Sequence, residues 1–282
     1  RGLAGGLSLG DNVAMAQTSD HTQVLNDVMD PARAAALQAA LGLENRVAAS
    51  DALPPFFHHI YFWDPLPPEF LGRDGHPALG GFVPDMGPDI KHPRRMWAAG
   101  RVLFHTPLRA GIKAEKTSVI EGVTRKDGRS GPLAFVRIRH DIRQRGTVAL
   151  SEWQDLVYRG EGGVTPDRPV ARTDETHSED VSFNSTLLFR YSALTMNGHR
   201  IHYDRKYAKR VEGYDDLILH GPLLAQLLML MGERMLGKPL TEVTYRATAP
   251  LIVTQGATLC WNDGAAWVRG PQGEQCMEAV MR

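Results

Sequence analysis

The sequence predicts an α+β protein of two units, each a curved antiparallel sheet with a helix against it. Three observations carry this expectation. From Ala98 onward the chain alternates apolar and charged residues between tight turns, the pattern of an antiparallel meander with one wet face. The second half repeats that order, with helical or irregular material followed by four strand-like segments. A local echo links the halves: one strand runs into FHTPLRAG and another into ATAPLIVTQG, each with a Pro-Leu break at the same place relative to the meander.

Taken in order, residues 1–20 are set aside. RGLAGGLSLGDNVA reads as flexible sequence or a remnant of expression, its apolar core is too short for a signal peptide, and Met15 is a plausible start. Asp30-Pro31 then opens a short helix, Asp30 as cap and Pro31 in the first turn, with Gly42 as its stop. Residues 51–95 break every few positions at proline or glycine, with aromatics and histidines between, as in a long ordered functional loop. Strands are expected at Val102–Phe104, Lys116–Thr124, Leu133–Ile142 and Thr147–Tyr158, with turns at Asp127–Gly131 and Arg145-Gly146. These complete a first unit, 21–160. A polar, turn-rich linker covers 161–178, and the second unit covers 179–282. Its strands are expected at Leu240–Ala249, Leu251–Trp261, Ala265–Arg269 and Gln275–Met281.

Composition narrows the function. The chain has 282 residues, 43% of them hydrophobic, enough for a sizeable core. Its 32 basic and 32 acidic residues cancel, which gives no general support for nucleic-acid or membrane-surface binding. No apolar run approaches the ~20 residues of a membrane span. Cys260 and Cys276 form no metal or redox motif and fit a reduced, cytoplasmic setting.

The chemistry concentrates in Arg190–Asp204, RYSALTMNGHRIHYD. His202 is the natural proton-transfer group, because imidazole titrates near neutral pH. Asp204, two positions on, faces the same side if the segment is extended and would orient that ring. Asn197 can hold a water, His199 is a second titrating group, and Arg190 and Arg200 can bind a carboxylate or diphosphate. The spacing H-x-x-H-x-D matches no familiar zinc pattern, so no metal is expected. His220-Gly221-Pro222 opens the apolar run LLAQLLMLM. A helix starting there offers the N–H groups of Gly221 and Leu223, and the positive end of its dipole, to a carbonyl oxygen gaining charge. Far upstream, Arg94-Arg95-Met96-Trp97 either presents cations beside an aromatic face or is a solvated pair next to a core tryptophan.

YSALTMNGHRIHYD, YAKRVEGYDDLILHGPLLAQLL and PRRMWAAGR together resemble the double-hotdog, MaoC-like acyl-thioester hydratases and dehydratases. The similarity runs from about Asp27 to the C-terminus. Its branch is that of the type 2 mitochondrial 3-hydroxyacyl-thioester dehydratases and the bacterial mesaconyl-CoA (3-methylfumaryl-CoA) and itaconyl-CoA hydratases. The resemblance implies an acyl-CoA thioester as substrate, no cofactor, and a first unit that has lost its central helix to admit a bulky acyl-CoA. It also implies that the Gly221 N–H polarises the thioester carbonyl. In the wider family an aspartate and, five residues later, a histidine share one water. The histidine falls on His202, but the aspartate position is Asn197 and the usual intervening asparagine is His199. His202 is therefore expected to be the principal acid/base, with Asn197 positioning water and Asp204 or His199 assisting. Arg94, Arg95, Met96, Trp97, Arg190, Arg200, His220 and Leu223 are expected to bind substrate, and the arginines favour a dicarboxylic acyl group such as mesaconyl or itaconyl, hydrated to citramalyl-CoA. A dehydratase of fatty-acid metabolism, a hotdog thioesterase and a non-catalytic acyl-CoA-binding module are the alternatives. Two hotdog units in one chain can form a pseudo-dimer alone or assemble into homo-oligomers.

Overall fold

The computed structural model describes residues 21–44, 47–87, 90, 94–128, 131–160 and 168–282. The expected terminal segment 1–20, positions 88–89 and 91–93 of the broken segment, the turn residues 129–130 and the 161–167 part of the linker lie outside the described residues.

Ten strands form one antiparallel sheet in the order β1-β3-β4-β5-β2-β7-β10-β9-β8-β6. The first-half strands are β1 (Thr22–Asp27), β2 (Arg94–Phe104), β3 (Ala114–Gly128), β4 (Gly131–Gln144) and β5 (Thr147–Arg159). Those of the second half are β6 (His177–Val181), β7 (Glu242–Ala247), β8 (Ala257–Asn262), β9 (Ala265–Arg269) and β10 (Gln275–Met281). The halves share one topology. Each starts with an edge strand, inserts helical or irregular chain, returns as the strand next to the seam, and closes with a three-stranded meander. The seam is β2 against β7, with Gly100 opposite Tyr245. Both Pro-Leu breaks fall in the connection that leaves the seam strand, β2 to β3 and β7 to β8.

The insertions differ. In the second half it carries α4 (Gly221–Leu236), which packs on β7 to β10 and buries Leu223, Leu224, Ala225, Leu228, Met229 and Met231. Gly232 lets the helix touch Met281, and Gly237, left-handed at φ 63°, ends it. In the first half the corresponding insertion holds α1 (Pro31–Ala40), capped by Asp30 through the Ala32 N–H at 2.9 Å. That helix packs mainly on α2 (Ser185–Leu194) and the 3₁₀ turn Phe57–Ile60 instead of lying along the sheet. Phe56, Phe57, Ile60, Tyr61 and Phe62 from the broken segment are buried in the main core there.

Three expectations change. Leu251–Trp261 is not one strand: Leu251 and Val253 bond Leu219 and Leu217 across an irregular connection, and β8 begins at Ala257. β2 starts at Arg94, so Arg94–Trp97 belong to the seam strand. β6 takes up the last residues assigned to the linker. Among the described residues no helix is long and apolar enough to cross a membrane.

Candidate active site

The motif 190–204 is folded, not extended. Helix α2 is capped by Asn184, which accepts from the Leu187 N–H at 2.9 Å, and runs to Leu194. The chain then turns: the Asn197 N–H reaches the Ser192 carbonyl, and Asn197 Oδ1 accepts from the His199 N–H at 3.0 Å. A 3₁₀ turn, Arg200–His202, leads into α3 (Arg205–Arg210). Asp204 caps α3 by accepting from the Tyr207 N–H at 3.0 Å and pairs with Arg200 at 2.7 Å. This corrects the expectation that Asp204 orients His202: period-two alternation does not apply where the chain is helical, and the carboxylate is occupied. Arg200 is likewise committed, to Asp204 and to the face of Tyr207 at 4.3 Å. Arg190 is exposed on α2, whose neighbouring residues Tyr191 and Ser192 are buried.

His202 is held by a different partner. Its Nδ1 lies 2.8 Å from the Ile218 carbonyl, which can only accept, so the ring proton sits on Nδ1 and Nε2 carries the lone pair. Burial, with a further push from the Arg95 charge and an opposing pull from the Ile218 bond, lowers its pKa to about 4. The ring stacks on His220 at 3.7 Å and 23°. His220 precedes α4 and sets its Nε2 2.8 Å from Ser192 Oγ. Beyond it, the helix opens with Gly221. The Leu224 N–H takes the His220 carbonyl, Pro222 has no N–H, and those of Gly221 and Leu223 face no backbone carbonyl among the described residues. Trp97 lies against that tip: a Cβ on Gly221 would come within 2.9 Å of its indole. The indole stacks in turn on Tyr245 at 4.4 Å and 16°. Leu223 is buried in the core, whereas Met96 is exposed.

The first half contributes a residue that the sequence did not single out. Asp74-Gly75-His76 docks on Asn197-Gly198-His199, glycine against glycine. The Arg200 N–H donates to the Asp74 carbonyl at 2.8 Å, and the His76 and His199 rings meet at 4.6 Å. The signal was present as two x-Gly-His tripeptides, unremarkable until their contact is known. His76, Gly75, Ser192, Asn197, Phe189 and Tyr203 line a cleft of ≈ 310 Å³. Arg95 donates from Nη1 to His76 Nε2 at 3.1 Å, while Arg94 pairs with Glu212 at 3.1 Å. Around this centre, Trp97 Nε1, Tyr191 Oη, His199 Nε2, His220 Nδ1 and the Gln226 amide are buried with no hydrogen-bond partner among the described residues. Such a concentration of unspent polar atoms marks a place built to receive a polar ligand.

A second polar cluster supports the first. Glu152, buried on β5, accepts from His58 Nε2 and His59 Nε2 at 3.0 Å and from Tyr245 Oη and Gln154 Nε2 at 3.1 Å. Burial opposes its charge, but the imidazoles and their hydrogen bonds outweigh it and hold the carboxyl well below its usual range. Tyr245 therefore stands between a fixed carboxylate and the Trp97 ring that packs on the α4 tip.

One consequence is sensitivity to acid. Burial lowers the pKa of His58, His76, His140, His199, His202 and His220, to about 3 for His140 and about 2 for His199. The unfolded chain, with histidines titrating near 6.5, therefore takes up protons first as pH falls. Stability is full above about 6.5 and declines toward about 4, each fully shifted ring contributing roughly 1.4 kcal/mol per pH unit. The melting midpoint is expected to drop steeply between pH 6.5 and 4.5. A flat midpoint across that window would show that the rings are not held neutral.

Fold and site together define the class: a double-hotdog, MaoC-like hydratase or dehydratase, with an imidazole set against the free tip of a buried helix. Within that class the chain belongs to the hydroxyacyl-thioester dehydratase type 2 family, whose model matches residues 56–253. It is 42% identical over 234 residues to the mesaconyl-C(4)-CoA hydratase of Chloroflexus aurantiacus, covering 82% of each chain. It is 25% identical to the mitochondrial hydroxyacyl-thioester dehydratase type 2 of Saccharomyces cerevisiae, over 80% of this chain and 82% of that one. In fold it is similar to HtdX of Mycobacterium tuberculosis (TM-score 0.65, 17% identity, 93% of this chain and 99% of the other). It is also similar to a MaoC-like dehydratase of Phytophthora capsici (TM-score 0.65, 14% identity, 94% and 96%). The protein is a hydro-lyase of this type.

Proposed function

We propose that the protein adds water reversibly across the double bond of a 2-enoyl-CoA, and that its preferred acyl group is short, branched and dicarboxylic, as in mesaconyl-CoA. The observation that carries the reading is His202: a buried, neutral imidazole with Nδ1–H fixed on Ile218 and Nε2 left as a base, beside the opening residues of α4. His202 Nε2 takes a proton from water as the water oxygen bonds to Cβ. The π pair moves toward the thioester carbonyl, whose oxygen draws on the Gly221 N–H and the helix dipole. The imidazolium then returns its proton to Cα. By the resemblance to the family, Asn197 holds the position at which an aspartate is expected; an amide cannot take a proton, so in this reading one base serves both steps. Hydrogen and hydroxyl then add to the same face.

The dicarboxylic preference rests on the 42% identical relative and on Arg95 of β2. The chain divides into a substrate-admitting unit, 21–160, and a catalytic unit, 179–282, joined by 161–178; its buried free thiols suit a reducing, cytoplasmic setting. Loss of enoyl absorbance over a panel of dicarboxylic, straight-chain and branched enoyl-CoAs tests the reaction. Thiol release without hydration would make the protein a thioesterase, and binding without turnover a carrier.

A further inference from the structure

Of the four arginines expected to bind substrate, Arg190 is exposed on α2, and two of the other three are already spent. Arg94 pairs with Glu212 at 3.1 Å and Arg200 with Asp204 at 2.7 Å. Arg95 forms no ion pair with a carboxylate among the described residues. Half-buried at the start of β2, it donates from Nη1 to His76 Nε2 at 3.1 Å. A guanidinium in that position keeps most of its N–H groups for something else. Its charge is met only at a distance by Asp74, whose pKa burial raises and Arg95 partly lowers again. Asp74, the acid of the adjoining loop, gives its Oδ1 to the His76 backbone N–H at 3.1 Å.

The bond from Arg95 also sets the His76 tautomer. Guanidinium only donates, so Nε2 accepts and the ring proton lies on Nδ1. No described residue accepts from that Nδ1–H, and His76 lines the cleft that Asn197 and Ser192 also line. We infer that Arg95 and His76 form the subsite for the free carboxylate of the acyl group, the guanidinium supplying charge and the imidazole a second, directed N–H. The inference rests on the hydratase reading and gives its substrate preference a location.

Position restricts the acyl length. A single imidazole, His199, separates the subsite from the base: its ring lies 4.6 Å from His76 and 5.4 Å from His202. A carboxylate held by Arg95 and His76 with Cβ near His202 therefore belongs to a short dicarboxylic acyl chain. The charge is also felt at the base, since after burial the Arg95 field is among the causes holding His76, His199 and His202 neutral. A bound carboxylate offsets that field as the reaction makes His202 cationic.

The test compares two thioesters that share CoA and the enoyl group, mesaconyl-CoA with its free carboxylate and crotonyl-CoA without one. Arg95→Met is expected to lower the ratio of kcat/KM for mesaconyl-CoA to that for crotonyl-CoA by about 100-fold. His76→Leu should shift the preference the same way by about 10-fold, and Arg95→Lys, which keeps the charge, should recover part of the loss. Equal losses on both thioesters in Arg95→Met and Arg95→Lys would assign Arg95 to CoA binding or folding and overturn the subsite. Wild-type enzyme that hydrates crotonyl-CoA but not mesaconyl-CoA would also overturn it, while leaving the hydratase reading intact. Wild-type enzyme that hydrates neither would remove the hydratase reading itself.

Discussion

His202→Ala is expected to lower kcat for enoyl-CoA hydration by roughly 10³-fold, within the range for loss of a positioned general base. KM should move little, because in the proposed mode of binding other groups hold the acyl carboxylate and the thioester oxygen. The neighbouring imidazoles cannot substitute. Burial pushes His199 down to about 2, which makes it a far weaker base, and His220 is fully buried with Nε2 set on Ser192. The pH profile adds an independent readout. A base with a pKa of about 4 in the free protein keeps the wild-type rate constant well below the 6.5 of a free histidine, so the acid limb of kcat/KM, which reports the free enzyme, should lie near 4 in chain that is still folded. His202→Asn can still donate to the Ile218 carbonyl and so separates chemistry from folding; it should melt close to wild type and be as inactive as the alanine variant. Single-turnover rates for both variants decide the matter, and retention of more than a tenth of the wild-type rate in either would move the base elsewhere.

What the sequence disclosed follows the range of the interactions concerned. The α1 start, the meander and the helix of Gly221-Pro222 rest on neighbours a few positions apart, and Asp30-Pro31 states its cap outright. The role of Asp204 is set by a local signal: the chain after it, RKYAKR, suits a helix, so the carboxylate is a cap before it can be anything else. Leu251–Val253 is apolar like a strand, yet its hydrogen bonds go to Leu217 and Leu219 just before α4, a destination no periodicity encodes. β1 and β6 escaped notice as short edge strands with half-polar sequences. His76 is the instructive omission. Its chemistry depends on Arg95 and His199, both distant in sequence, and on a glycine contact between two loops. The proposed proton-transfer residue was legible because its motif is contiguous, and Arg95 because it stands in a signature segment; His76 was not, because its setting exists only where the halves meet.

That meeting point should be the least tolerant backbone in the molecule. Gly75→Ala is expected to lower stability by about 2–4 kcal/mol and to cut kcat/KM for mesaconyl-CoA, the proposed substrate, by at least about 10-fold. Gly75 has φ +88°, where a side chain costs on the order of 1 kcal/mol before any contact is considered. A Cβ there would also run into the carbonyl oxygen of Gly198, and a Cβ on Gly198 would come within 2.6 Å of the Gly75 oxygen. Both obstacles are backbone, so no rotamer change relieves them. The loops must separate, which breaks the bond from the Arg200 N–H to Asp74 and moves His76 off His199. Gly80→Ala supplies the comparison. Its φ is +93°, but nothing lies within 4 Å of the added methyl, so it carries the conformational cost alone and should leave the rate unchanged. Urea denaturation and steady-state kinetics on the pair separate strain from docking: equal behaviour of the two variants would show that the 74–76 loop does not hold the site, whereas a rate loss confined to Gly75→Ala ties catalysis to the contact between the halves.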